Sequence, residues 1–141
     1  MRLFCIDPGE QTGVVIYHEP VNIFVLATVS LEACTKDIQF LEPAIVIIEN
    51  KPKFHDWNDK LVGDFATLRD VCSEVGSEMI FITPGLWKPI AKAQKWRVPR
   101  AKTPHEKDAY NILRYFFFSH FKLDIGEDIC LHKEKIKTFS F

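Results

Sequence analysis

RLFCIDPGEQT, residues 2–12, runs four apolar side chains, Leu3, Phe4, Cys5 and Ile6, straight into Asp7 and then into Pro8-Gly9. A near-continuous apolar run is what a strand buried on both faces requires, and the Pro-Gly pair reverses the chain at its end. The stretch therefore predicts a central strand with a carboxylate at its exit. The apolar residues 13–17 (GVVIY) follow at hairpin distance, which makes residues 10–12 the tip of a turn. Taken alone, Asp7 reads equally well as a turn-capping side chain and as a functional acid.

Outward from this hairpin, residues 21–29 (VNIFVLATV) are rich in β-branched and aromatic side chains and predict a third strand, so three consecutive strands are antiparallel. Ser30 can cap a short helix through Phe40, with Leu31, Cys34, Ile38 and Leu41 as its apolar stripe and Pro43 as its stop. Residues 44–49 (AIVIIE) repeat the logic of the first strand: five apolar residues, then a carboxylate, Glu49. A strand of this kind belongs in the middle of a sheet, and as a parallel neighbour of the first it would set Asp7 and Glu49 side by side at the C-terminal edge. Adjacent carboxylates repel, and a divalent cation is the usual compensation.

The polar loop 50–58 (NKPKFHDWN) carries Phe54 and Trp57, which are either tucked under the loop or exposed for stacking on bases; stacking is the favoured reading. Leu61, Phe65, Leu68, Cys72 and Val75 then fall at helical spacing up to Gly76. Residues 79–83 predict another strand, and Pro84-Gly85 a turn. Thr103-Pro104-His105-Glu106 is a capping box with proline at the first helical position, and Ala109, Ile112, Leu113, Phe116 and Phe117 continue the helix as an apolar face. His105 and Asp108, three residues apart, project the same way from its start. Singly, His105 reads as a surface residue and Asp108 as a first-turn dipole partner. With the two strand-end carboxylates they form a metal constellation.

The 141 residues, 47% hydrophobic and 26% charged, suit one compact α/β domain, 1–141, with a tail from residue 122 that takes no assigned role. With neither a leader-like N-terminus nor an apolar run of the ~20 residues a bilayer needs, the expectation is a cytoplasmic protein without a membrane partner. Cys5, Cys34, Cys72 and Cys130 are scattered without metal-binding spacing and read as free thiols. The net charge of −1 conceals an asymmetry. Residues 84–104 hold Lys88, Lys92, Lys95, Arg97, Arg100 and Lys102 with no acid, against 12 basic and 19 acidic residues elsewhere. A solvated lysine-rich helix would look the same, but Trp87 and Trp96 interleave with these cations. Flat aromatics among cations suit phosphates and unstacked bases, so nucleic acid is the expected partner.

IDPGEQTG at the first acid, IVIIE at the second and HEKDAYNIL at the closing helix together resemble, in order over residues 1–118, the RuvC Holliday junction resolvases within the ribonuclease H-like nucleases. The resemblance implies a mixed sheet, three antiparallel strands followed by parallel ones, with flanking helices. Asp7 matches the family's first-strand aspartate, Glu49 its strand-end glutamate, and His105 and Asp108 its last helical pair. The implied chemistry is metal-dependent cleavage of phosphodiester bonds in branched DNA, with a four-way junction as substrate and a twofold dimer as the form that cuts two opposed strands. Hard carboxylate oxygens suit Mg²⁺ or Mn²⁺, two ions roughly 3.5–4 Å apart activating water and stabilising the leaving 3′ oxygen. Asp7 would bridge both ions, Glu49 ligate one, and His105 with Asp108 serve the other or the attacking water. Imidazole favours Mn²⁺ over Mg²⁺. Phe54, Trp57, Lys88, Lys92, Lys95, Trp96, Arg97, Arg100 and Lys102 are the expected DNA contacts, Lys102 reading more simply as loop charge facing phosphate. The chain is shorter than typical bacterial members, and Lys51-Pro52 follows the glutamate. A flap or RNA/DNA hybrid nuclease of the same fold and a non-catalytic DNA-binding module are the alternatives. An actin-like ATPase needs two such domains and more chain than this.

Overall fold

The structure is a computed structural model and describes residues 1–18, 23–50, 57–126 and 130–132. In chain order its elements are β1 (Arg2–Asp7), β2 (Thr12–His18), β3 (Ile23–Val29), α1 (Leu31–Leu41), β4 (Ile45–Glu49), α2 (Asp59–Val75), β5 (Glu78–Ile82), α3 (Pro84–Ala93), α4 (Pro104–Phe121) and β6 (Cys130–His132). The strands form one sheet in the order β5-β4-β1-β2-β3-β6. β1, β2 and β3 pair antiparallel, and β4 and β5 extend the sheet in parallel from β1. This is the expected α/β architecture. The first turn closes as its residues demand, with the Thr12 hydroxyl donating to the Gly9 carbonyl at 3.1 Å.

Side chains alternate across the sheet, and each face has its own core. Leu3, Cys5, Val15 and Ile47 pack under α3 and α4. Phe4, Ile6, Val14, Ile16, Val46 and Ile48 pack under α1 and α2. Burial on both faces is why the first and fourth strands read as unbroken apolar runs. The helices begin where their caps stand: Ser30 accepts from the Ala33 amide at 3.1 Å and Asn58 from the Leu61 amide at 2.8 Å. Gly76, at φ 77°, ends α2 in the left-handed conformation that glycine adopts without strain. Cys5, Cys34 and Cys72 are buried free thiols, as expected.

Three local expectations change. Pro84-Gly85 does not turn; Thr83 occupies the cap position and Pro84 opens α3, because proline fits the first helical turn as readily as it fits a β-turn. Glu106 does not reach back to its own cap residue. It is 1% exposed, accepts from the Lys102 amide at 3.0 Å and from the Thr28 hydroxyl, and so fastens the start of α4 to β3. The tail contributes β6, which pairs parallel with β3 through Phe24, Val25 and Leu26; residues 133–141 lie outside the described residues.

A candidate metal centre at the carboxyl end of the central strands

Strand parity selects the face on which the two acids emerge. Leu3 and Cys5 point toward α4, and so, two residues on, does Asp7; Ile47 points the same way, and so does Glu49. The parallel register of β1 on β4 pairs Ile6 with Ile48, which leaves Asp7 and Glu49 adjacent at the ends of their strands. The crevice beyond the carboxyl ends of parallel strands is where open α/β sheets bind ligands. Both carboxylates are nearly buried, at 2% and 4% exposure. Their shared field is felt at Cys5, whose thiol is pushed well above its ordinary range by burial and then by Glu49 and Asp7.

α4 reaches this edge because Gly13 has no side chain. Gly13 is the antiparallel partner of Asp7, and a Cβ built on it would lie 2.0 Å from the carbonyl oxygen and 2.2 Å from the carbonyl carbon of His105. The backbone of α4's first turn therefore sits directly on the hairpin. The Thr28 and Thr103 hydroxyls, 2.9 Å apart, and the buried Glu106 carboxylate hold it there. Seated in this way, His105 brings Nδ1 to 3.4 Å from Oδ2 of Asp7. Asp108, one turn along, lines a cleft of about 320 Å³ between α3 and α4 together with Trp87, Lys88, Lys92, Lys107 and Asn111. Glu49 is reached from α3, the Trp87 indole N–H donating to its Oε2 at 3.0 Å.

Asp7, Glu49 and His105 stand at one edge of the sheet and Asp108 one helical turn away, without forming a closed set. Asp7 and His105 are in contact, Glu49 adjoins Asp7 through the register, and Asp108 opens onto the neighbouring cleft. Among the described residues no group of three or more histidine, cysteine, aspartate or glutamate side chains surrounds a single point closely enough to hold a metal ion. The donors themselves, three carboxylates and an imidazole, are chemically suited to Mg²⁺ or Mn²⁺.

The basic segment separates into two populations. Lys88, Lys92, Lys95, Arg97, Arg100 and Lys102 are exposed, as phosphate contacts must be. The interleaved aromatics are not. Trp96 is 8% exposed, edge-on to Phe118 and under the Arg114 guanidinium, 4.5 Å from its ring centroid. Arg114 in turn pairs with Asp124 at 2.7 Å. Trp96 is therefore a core residue and not a base-stacking platform; its spacing among cations reflects a helix end that must tuck one apolar side chain under a charged surface. Trp57 is half-buried, edge-on to Phe65 with 5.6 Å between ring centroids. Phe54 lies outside the described residues. Trp96→Ala is accordingly expected to lose about 3 kcal/mol of stability, as a buried large aromatic does, with its preference among DNA structures unchanged. Thermal melts and junction-to-duplex affinity ratios on one preparation check both. Lys107, Gly13 and the Thr28–Glu106 contact were not apparent in the sequence, because each matters only once α4 is laid across β2 and β3.

The sequence matches no protein-family profile and no curated protein. The structure of Thermus thermophilus RuvC in complex with Holliday junction substrate superposes on this one with a TM-score of 0.66, covering 88% of this chain and 98% of that one at 15% identity. The fold is that of RuvC. A further T. thermophilus RuvC structure gives a TM-score of 0.56 over 86% of this chain and 97% of that one, at 14% identity. The expected mixed sheet with flanking helices is thus a RuvC-like sheet along most of its length. At such identity the likeness to RuvC shows the architecture alone.

Proposed function

We propose that this chain is a divalent-metal-dependent endonuclease that cuts phosphodiester bonds in branched DNA, a four-way junction being its substrate. The observation that carries the reading is that Asp7 and Glu49 end adjacent parallel strands at the centre of the sheet, with His105 of α4 set against Asp7. Two nearly buried carboxylates side by side are costly unless a cation compensates them, and the side chain that stands against Asp7 from α4 is an imidazole, itself a metal donor. A divalent cation would be held there by Asp7, Glu49, His105 and Asp108, and would supply an activated water and charge to stabilise the leaving 3′ oxygen. The protein's own part is positional. His105 braces Asp7, and α4 and the hairpin hold both on rigid elements. The exposed lysines of α3, with Lys107 of α4, bind backbone phosphates in the cleft that ends at Asp108. The RuvC structure that this fold matches was solved with Holliday junction substrate, which supports a branched partner here. Cutting two opposed strands calls for a twofold pair of copies, and the outward side of α2, where Val62 is 49% exposed, is the surface proposed for it.

The test is a labelled four-way junction beside a flap, an RNA/DNA hybrid and a linear duplex, each incubated with Mg²⁺, Mn²⁺ or EDTA. Paired cuts near the branch point, dependent on metal and confined to the junction, are expected. Faster cutting of the flap or hybrid would move the substrate within the fold, and tight junction binding with no cutting under any metal would leave a binding module. The cleft makes a separate prediction. Lys88→Ala, Lys92→Ala and Lys107→Ala combined should weaken junction binding and lower the slope of log affinity against log salt by about 0.9 for each phosphate that is no longer neutralised. Binding isotherms between low and moderate salt measure it, and an unchanged slope would take these lysines off the DNA path.

A further inference from the structure

Helix α3 has two sides of different chemistry. Lys88 and Lys92 are exposed, whereas Trp87 is turned inward and is 3% exposed. Its indole N–H ends on Oε2 of Glu49, 3.0 Å away, and the Lys88 ammonium lies 5.6 Å from the centroid of the same ring. Indole is a donor only, and a buried indole N–H finds a partner. Here the partner is the carboxylate of the second central strand. The bond engages one oxygen of Glu49 and so restricts the orientation of the carboxylate.

We propose that Trp87 is a positioning residue for Glu49: its N–H orients the carboxylate as a metal donor, and it ties the lysine-bearing helix to the reacting edge of the sheet. The inference rests on the reading of Glu49 as a ligand in a metal-dependent nuclease. Groups that hydrogen-bond a metal ligand typically carry 10–100-fold of metal affinity or activity. Trp87→Phe keeps a large apolar ring and removes only the donor. In the 141-residue chain it is expected to raise the Mn²⁺ concentration for half-maximal junction cleavage about tenfold, with metal-free junction binding within about twofold of wild type, because every phosphate-facing cation is kept. A purely structural role for Trp87 would lower the melting temperature and leave that metal dependence in place.

The second readout does not need activity. The indole ¹⁵N–¹H resonance of Trp87, assigned by its disappearance in Trp87→Phe, is expected to shift in Glu49→Gln and to shift again when Mg²⁺ is added to wild type, while those of Trp57 and Trp96 stay put. If Trp87→Phe cuts with wild-type rate and metal dependence, or if the resonance ignores Glu49→Gln, the inference is overturned. Should Trp87→Phe fail to fold, assignment by Trp57→Phe and Trp96→Phe lets the Glu49→Gln comparison decide alone. If wild type cuts no DNA with any metal, the nuclease reading fails, and the response of the Trp87 resonance to Mg²⁺ still decides whether Trp87 orients a cation ligand.

Discussion

Asp7→Asn is expected to reduce junction cleavage by at least ~10²–10³-fold, the size of losing one group that stabilises charge in a transition state, while junction binding stays at wild-type strength or tightens. The sign of the binding change follows from electrostatics: removing one carboxylate charge from an edge that must approach phosphates lessens repulsion. Stability should hold or rise. Asp7 and Glu49 are adjacent and nearly buried, so neutralising one relieves a repulsion that the fold otherwise bears. Asp108→Asn should behave alike in cleavage. Gel-shift titrations, single-turnover cleavage and thermal melts on the same preparations measure the three quantities. Comparable cutting by either variant with Mg²⁺ or Mn²⁺ would detach that carboxylate from the chemistry.

The other large effect is expected at Gly13. An added Cβ 2.0 Å from the His105 carbonyl oxygen meets main chain, which cannot swing aside as a side chain can. Ordinary overpacking costs roughly 1–3 kcal/mol; here the first turn of α4 must lift from the hairpin, and about 4 kcal/mol or more is expected for Gly13→Ala. At roughly 3 °C per kcal/mol for a chain of this size, the melting temperature should fall by about 12 °C. The same displacement carries His105 away from Asp7, so cleavage measured well below the melting temperature should fall as well. A Gly13→Ala protein that melts like wild type would mean that α4 does not rest on β2 as described.

The sheet was legible in the sequence because its physics is local. Unbroken apolar runs ending in Asp7 and Glu49 announce strands buried on both faces, and Ser30 and Thr103 mark helix starts by the groups that satisfy their first amides. Alternation even indicates the face: Leu3, Cys5 and Asp7 share one side, as Ile47 and Glu49 do. What was not legible depends on distant packing. The cations and tryptophans of residues 84–104 have one spacing in the chain, and only the docking of α3 and α4 sorts them into exposed lysines and buried indoles. Glu106 likewise satisfies the capping-box pattern, yet its partners lie on β3 and at Lys102, since a carboxylate buried under the sheet takes the donors it finds there. Gly13 looked like an ordinary strand residue until a helix backbone lay against it.

The proposed function requires that Asp7, Glu49, His105 and Asp108 together hold the cation. Crystals of the protein grown with Mn²⁺ and an uncut four-way junction, with data collected at the manganese edge, would locate it directly. Anomalous peaks bounded by Asp7, Glu49 and the first turns of α4 are the predicted result, with the carboxylates drawn in from the open arrangement seen here. Peaks elsewhere, or none at these four residues with junction DNA bound, would contradict the account.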